Sequence, residues 1–491
     1  MNHRRTVSLA ATALALFAVS PARAADDAAR LVAAMLGETP LIDDLHQLTD
    51  EIGGRATGSE ANERSVAWGV AKFGEAGVDA RAEPFEMPAL WLETSAAAVI
   101  EGEGVRFAPR IAAMPYSADT PEGGTSASLV DAGNGTAEEF ARLGEAAAGA
   151  FALISTPILE DIPGLFTEYI EASSIEERAF AAGVAGVVYM GSRPGNQLYR
   201  HNASYGPDNQ HPMVVMSRDA ASRALRLMAA GTQLTLTLDL ELETGGAYTS
   251  HNVIGEIRGS ELPDEFVVIG AHLDSWDIGT GAIDNGCHVA LVIDIARQIK
   301  RLGLEPKRTI RFALWNGEEQ GLYGSWAYNQ MHAEELDGHV MASSFDTGSG
   351  RVRGFVANGR LAEMSEVLDA SLVPVAGLGP FEYSDAAYYG TDHFDFVLEG
   401  VAGIMADQES ANYGPNYHAR PDTFDKVDQE QLKRNSAIAA ALVWGYANAE
   451  IGWRRLDRAG VQKIIDDGLD QHMRAFRVMQ HWQDGSRGRT E

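Results

Sequence analysis

The chain has 491 residues, of which 45% are apolar and 22% charged. That is more than one ordinary domain needs, and core size is no constraint on its stability. A formal net charge of -30 repels phosphate backbones and argues against a nucleic-acid partner, and a single cysteine, Cys287, excludes an intramolecular disulfide.

The N-terminus carries Arg4 and Arg5, an apolar run over 7–19, and small residues at Ala22 and Ala24. This three-part pattern predicts a secretory signal peptide over 1–24, hence an exported protein, periplasmic or secreted. The run is too short to span a bilayer, and no later stretch is long and apolar enough, so no membrane span is expected after cleavage.

Residues 26–36 and 40–48 predict helices, and G-G-R-A-T-G-S at 53 predicts a turn-rich loop. An amphipathic helix follows over 60–76, then a strand over 78–85. From about residue 96 short strands and small-residue turns take over, as at 150–155 and 184–190, with a helix over 174–182 between them. A polar stretch, 195–210, is expected to be a surface loop. A further helix over 218–231 and a strand over 232–243 complete this region.

A βαβ pattern then dominates. Buried strands are predicted at 252–258, 266–271, 309–315, 340–346 and 400–407, and helices at 287–301, 361–372 and 429–450. Residues 457–482 predict a helical tail, packed on the domain or on a partner subunit. The fold class is α/β. One domain is expected in two pieces, 25–95 and 247–455, interrupted by an inserted mixed α/β domain over 96–246 and followed by a tail over 456–491.

Chemistry-bearing residues collect at the strand ends, where open α/β sheets gather their sites. His272 ends one strand and Asp274 follows it; Asp284 precedes the helix at 287. Glu318 and Glu319 follow the strand at 309–315, Asp346 ends another, and His418 lies in the loop after 400–407. Two imidazoles and three carboxylates suit a borderline cation such as zinc. Five ligands are too many for one catalytic zinc, but they fit two metals sharing one carboxylate, with Asp284 the short and central candidate. Glu318, beside a ligand, suits a general base, and Asp274, two residues from His272, could fix a ligand imidazole. Each residue alone is more often a solvated or structural group; their joint placement makes the case. His288 is an additional imidazole with a structural role, and Cys287 a small buried hydrophobe. His211, His251, His332 and His339 are expected at surfaces or helix ends.

The motifs H-L-D-S at 272, A-I-D-N-G at 282, W-N-G-E-E-Q-G-L-Y-G-S at 315, F-D at 345, T-D-H-F-D-F at 391 and N-Y-H-A-R-P-D-T-F-D at 416 resemble the di-zinc aminopeptidase and carboxypeptidase family. That resemblance implies a three-layer α/β/α domain with a mixed central sheet, and a protease-associated-like inserted domain. It implies two Zn2+ per chain, one on His272, Asp284 and Asp346, the other on Asp284, Glu319 and His418. Glu318 then matches the general base and Asp274 the supporting Asp. Thr391, Asp392 and His393 match a segment near the substrate pocket with no assigned duty. Hydrolysis of dipeptides or short peptides near a free terminus, and a homodimer, are the further expectations. A single-zinc glutaminyl cyclase-like acyltransferase and a catalytically dead receptor-like ectodomain are the alternatives, and metal stoichiometry separates them.

Overall fold

The computed structural model describes residues 21–491. The expected signal segment lies outside the described residues except for its last four, which open helix α1 (Pro21–Met35). In chain order the strands are β1 (Asp79–Met87), β2 (Leu90–Gly102), β3 (Val105–Phe107), β4 (Ile111–Ala113), β5 (Thr125–Asp131), β6 (Phe151–Ile154), β7 (Gly186–Met190) and β8 (Met213–Met216). They continue as β9 (Leu234–Gly245), β10 (Tyr248–Ile257), β11 (Leu262–His272), β12 (Arg308–Trp315), β13 (His339–Ser344), β14 (Val352–Val356), β15 (Glu382–Ser384) and β16 (Gly403–Gln408).

Among the described residues these form two eight-stranded mixed sheets. The first runs β1-β10-β12-β11-β13-β16-β14-β15. Its centre, β12-β11-β13-β16, is parallel throughout, while β10 and β14 are antiparallel to their inner neighbours. The central strands are apolar on both faces, so both must be covered. On β11, Val267 and Ile269 enter a core shared with Val289, Ile293 and Leu442, whereas Val268 points to a second core with Trp315, Tyr328 and Phe396. The first core is closed by α1, α2 (Glu60–Glu75), α4 (Cys287–Arg301), α5 (Leu361–Leu372) and α7 (Gln429–Asn448), while α6 (His393–Leu398) carries Phe396 into the second and α3 (Ile162–Ala181) belongs to the other sheet.

The second sheet runs β3-β2-β9-β5-β6-β7-β8-β4, with β5 through β8 parallel. β2 joins it from Leu90, pairing with β9. Helix α3 (Ile162–Ala181) crosses its face. This helix is more than twice the length expected from the sequence. Ile162-Pro163-Gly164, which looks like a turn, is its first turn. Asp161 caps it, accepting from the N–H of Gly164 at 2.8 Å, and proline is tolerated where that N–H has no helical partner.

The stretch 195–210 is not a surface loop. Tyr199, Arg200, His201 and Ala203 are buried. Arg200 grips both carboxylate oxygens of Asp277 at 3.0 Å and Glu93 at 2.6 Å, tying β2 of the second sheet to the loop after β11. Arg-carboxylate forks of this kind fix orientation as well as adding energy. The tail folds as α8 (Arg458–Ile464), α9 (Asp470–Ala475) and α10 (Val478–Asp484), packed on Tyr389, Phe394 and Leu398 of its own chain. His339 is buried in β13 rather than exposed, its Nε2 3.0 Å from the Tyr328 hydroxyl.

Candidate metal centre

Because β12, β11, β13 and β16 are parallel neighbours, their carboxyl ends lie side by side. His272 is the last residue of β11, Glu318 and Glu319 lie in the turn after β12, Asp346 follows β13, and His418 is on the loop after β16. Asp284 reaches them from the turn that opens α4. The five side chains expected as ligands are thus brought together, and all are buried or nearly so.

They form two sets around one residue. His272 Nε2 is 3.1 Å from Asp284 Oδ1 and 3.1 Å from Asp346 Oδ1. His418 Nε2 is 2.7 Å from Glu319 Oε2 and 3.5 Å from Asp284 Oδ2. Within each set, His272–Asp284–Asp346 and Asp284–Glu319–His418, the candidate atoms lie within 4.8 Å of one another. Asp284 belongs to both and turns one oxygen to each.

The chemistry of this donor set fits cations. Burial, then repulsion among neighbouring carboxylates, pushes Glu318 and Glu319 well above the ordinary carboxylate range, and burial raises Asp346 to about 6. Asp284 Oδ2 and Glu319 Oε1 are buried without a hydrogen-bond partner among the described residues. Buried acids with open lone pairs are costly unless paired or bound to metal. Imidazole and carboxylate ligands suit zinc.

The surrounding chain holds these groups in place. The ring of His272 is oriented through its Nδ1, 2.9 Å from the main-chain oxygen of Asp274. The Asp274 carboxylate, expected to support this ring, has its Oδ1 3.7 Å from the same nitrogen. The carboxylate accepts from Thr57 Oγ1 at 2.9 Å and the Glu319 N–H at 3.3 Å, so it ties the 53–58 loop to the turn carrying Glu319. Glu318 Oε2 stands 4.0 Å from His272 Nε2, at the edge of the cluster. His418 has φ 56°, in the left-handed region uncommon for a residue with a side chain. It is held there by the Arg200 N–H on its carbonyl at 2.9 Å, with Nδ1 3.3 Å from the Arg200 oxygen.

Two positioning residues were not singled out by the sequence reading. The Asp422 carboxylate accepts from the N–H groups of Ala282, Ile283 and Asp284 at 2.9, 2.7 and 3.2 Å. Arg55 is fully buried and donates to the carbonyls of Gly53, Leu273, Thr280 and Gly281, clamping the loop between His272 and Asp284. The only advance signals were the D in the motif at 416 and the R inside the glycine-rich loop at 53. At Gly281 a Cβ would lie 2.3 Å from the Ser275 side chain, on a φ of 61°, so that turn requires glycine.

His288 stands outside both ligand sets. Its Nδ1 is 2.5 Å from Asn285 Oδ1, and Asn285 donates to the Phe345 carbonyl at 2.9 Å, so it braces the segment before Asp346. Thr391 lines the narrow space beside Glu318 and Asp346, together with Leu165 and Phe166 of α3 and with Tyr388 and Tyr413. Asp392 is buried alongside, and burial pushes its carboxyl well above the usual range.

Residues 252–443 match the family model described as peptidase family M28. The chain is 26% identical to carboxypeptidase Q of Xenopus laevis over 411 residues, which is 82% of this chain and 84% of that protein. A solved structure described as a peptidase M28 precursor from Shewanella amazonensis SB2B superposes with a TM-score of 0.80 at 29% identity, covering 89% of this chain and 99% of that one. BSAP, a zinc aminopeptidase from Bacillus subtilis, shares the fold with a TM-score of 0.67 at 23% identity, covering 84% and 95% of the two chains.

Proposed function

We propose, from the premise that residues 252–443 belong to peptidase family M28, that this chain is a di-zinc exopeptidase that hydrolyses dipeptides or short peptides beside a free terminus. The observation that carries the reading is Asp284, whose two oxygens face the imidazoles of two separate ligand sets. A single-zinc cyclase would need only one of these sets, and a dead ectodomain neither.

His272, Asp284 and Asp346 would hold one zinc ion, and Asp284, Glu319 and His418 the other. When bound, such ions polarise a scissile carbonyl and acidify water. Glu318, at the edge of the cluster and partly open, takes the proton of the attacking water and delivers it to the leaving nitrogen. A carboxyl whose burial raises its pKa is suited to carrying a proton through this cycle. Asp274 keeps the Glu319 turn seated, and Asp422 and Arg55 fix the Asp284 turn.

The free terminus gripped is the amino one. Among the described residues, the spaces beside the cluster are lined by carboxylates, His418, Thr391 and aromatic and aliphatic side chains such as Tyr388, Phe166 and Leu165, with no Lys or Arg side chain to receive a carboxylate. The basic, apolar and small-residue pattern of 1–24 supports export, and none of the described helices is long and apolar enough to cross a membrane. The second sheet serves as the inserted domain, and its α3 covers the cluster.

The test is a dipeptide panel with amino-blocked and carboxyl-amidated members, run with and without a chelator. Hydrolysis that needs a free amino group, tolerates the amide and stops on chelation is expected. Chelator-insensitive hydrolysis, or none on any member, contradicts the reading.

A further inference from the structure

Helix α3 is a wall between two spaces. Leu165 and Phe166 line the space beside Glu318, and the Tyr169 hydroxyl is 3.4 Å from His418 Nδ1. The opposite face of α3, including Gly164, Glu168, Glu171 and Ile175, lines a cavity of about 1050 Å³ against β7, β8 and the 155–161 loop. That is the size of a small-molecule site, and far larger than the space of about 40 Å³ next to the metal cluster.

We propose that this cavity is a second binding site, distinct from the metal centre, for a small organic amine with an apolar body. Its depth carries buried polar atoms without a hydrogen-bond partner among the described residues. Among the described residues His201, 3% exposed, makes no hydrogen bond through Nε2, while its Nδ1 stands 3.5 Å from Glu168 Oε1, and Tyr189, 6% exposed, makes none through its hydroxyl. Unmatched buried polar atoms in a roomy cavity are costly, and a ligand that bonds them removes the cost. Burial holds the His201 imidazole neutral, its pKa pushed down to about 4, so one ring nitrogen is an acceptor.

The charge of the wall selects the ligand. Glu160, Asp161 and Glu171 line the cavity and are exposed, whereas the cation among its lining residues, Arg178, spends its Nε–H on the Gly135 carbonyl at 2.9 Å. Glu168, near the floor, is paired with Arg193 at 3.0 Å. Such a wall attracts an ammonium and repels a carboxylate or phosphate. Ile158, Leu159, Ile175 and Val215 supply apolar surface for the body of the ligand. The site also touches the metal centre through one chain of contacts: His201 stacks on Tyr169 with ring centroids 4.3 Å apart, and Tyr169 reaches His418.

The test titrates phenethylamine into the zinc-loaded full-length protein by calorimetry, beside 2-phenylethanol and 3-phenylpropionate. Saturable binding of the amine is expected, with the alcohol and the acid weaker by about tenfold or more. Glu160→Gln/Glu171→Gln, at exposed positions, weakens the amine roughly three- to tenfold. Thr167→Trp, on the exposed cavity face of α3, removes binding by filling the space. Amine binding that survives a chelator separates this cavity from the metal cluster, and dipeptide hydrolysis has no part in the readout. The proposal is overturned by no saturable amine binding, by alcohol or acid binding as tightly as the amine, by indifference to both variants, or by loss of binding on chelation.

Discussion

The carboxylate of Asp422 accepts the main-chain N–H of Asp284 at 3.2 Å, and those of the two preceding residues at shorter distance. One acid therefore holds the turn that presents another acid to two imidazoles. Asp422→Ala frees three buried N–H groups and lets that turn move. Groups that orient metal ligands are worth about 10- to 100-fold in metal affinity. Zinc affinity measured by chelator competition is expected to fall by that factor, with the fold retained by circular dichroism. Unchanged affinity would show that Asp422 does not position Asp284.

Glu318 belongs to neither ligand set, so its removal separates proton transfer from metal retention. Glu318→Gln is expected to keep its metal content and lose about 10²- to 10⁴-fold in kcat, with a smaller change in KM. Full turnover in this variant would remove Glu318 from the mechanism.

Much of this site was legible because its ligands sit at or after the carboxyl ends of buried strands, and residue type and strand pattern are both local signals. The helix at Cys287–Arg301 and the helix at Leu361–Leu372 follow apolar periodicity, and their bounds match the expectation. His272, Asp284, Glu319, Asp346 and His418 could be singled out by residue type and strand position. The first half of α3 was not legible. Pro163-Gly164 look like a turn until Asp161 is seen capping the helix, and this half carries Leu165, Phe166 and Tyr169 to the metal centre. The burial of 195–210 was equally hidden, because Arg200 and His201 are polar in sequence and only tertiary partners such as Glu93 and Asp277 make their burial possible. Arg55 and Asp422 act on main-chain groups distant in sequence, which no local pattern records.

The tail is anchored by a buried ion pair. Arg487 donates to both oxygens of Asp395, at 2.7 and 2.8 Å, and to the Gly321 carbonyl at 3.2 Å, just after the Glu318–Glu319 turn. Removing one member leaves a buried charge alone, at a cost of about 3–5 kcal/mol. Arg487→Met is expected to lower the unfolding free energy read from chemical denaturation by that amount, and Arg487→Met/Asp395→Asn to recover part of it. Equal stability in both variants and the parent would show that the pair does not anchor the tail.

Glu176 predicts a pH dependence outside the metal centre. It is buried in α3, accepts from Ser204 N and Oγ at 2.9 and 3.0 Å, and burial raises its pKa to about 8. The native state thus keeps a proton that the unfolded chain releases near 4.5. The stabilisation is complete below that value and is lost as pH rises towards 8, on the order of a few kcal/mol. Unfolding midpoints of the parent should fall over this window, and those of Glu176→Gln should fall less. Parallel pH profiles for the two proteins would contradict a buried neutral Glu176.

Zinc content per folded chain, measured by mass spectrometry on the purified protein and on Asp284→Ala, bears most directly on the shared carboxylate. Two ions per chain are expected in the parent, with both sites weakened together when Asp284 is removed. A parent holding a single ion at full dipeptide turnover, or an Asp284→Ala protein that keeps both, would contradict a centre built around Asp284.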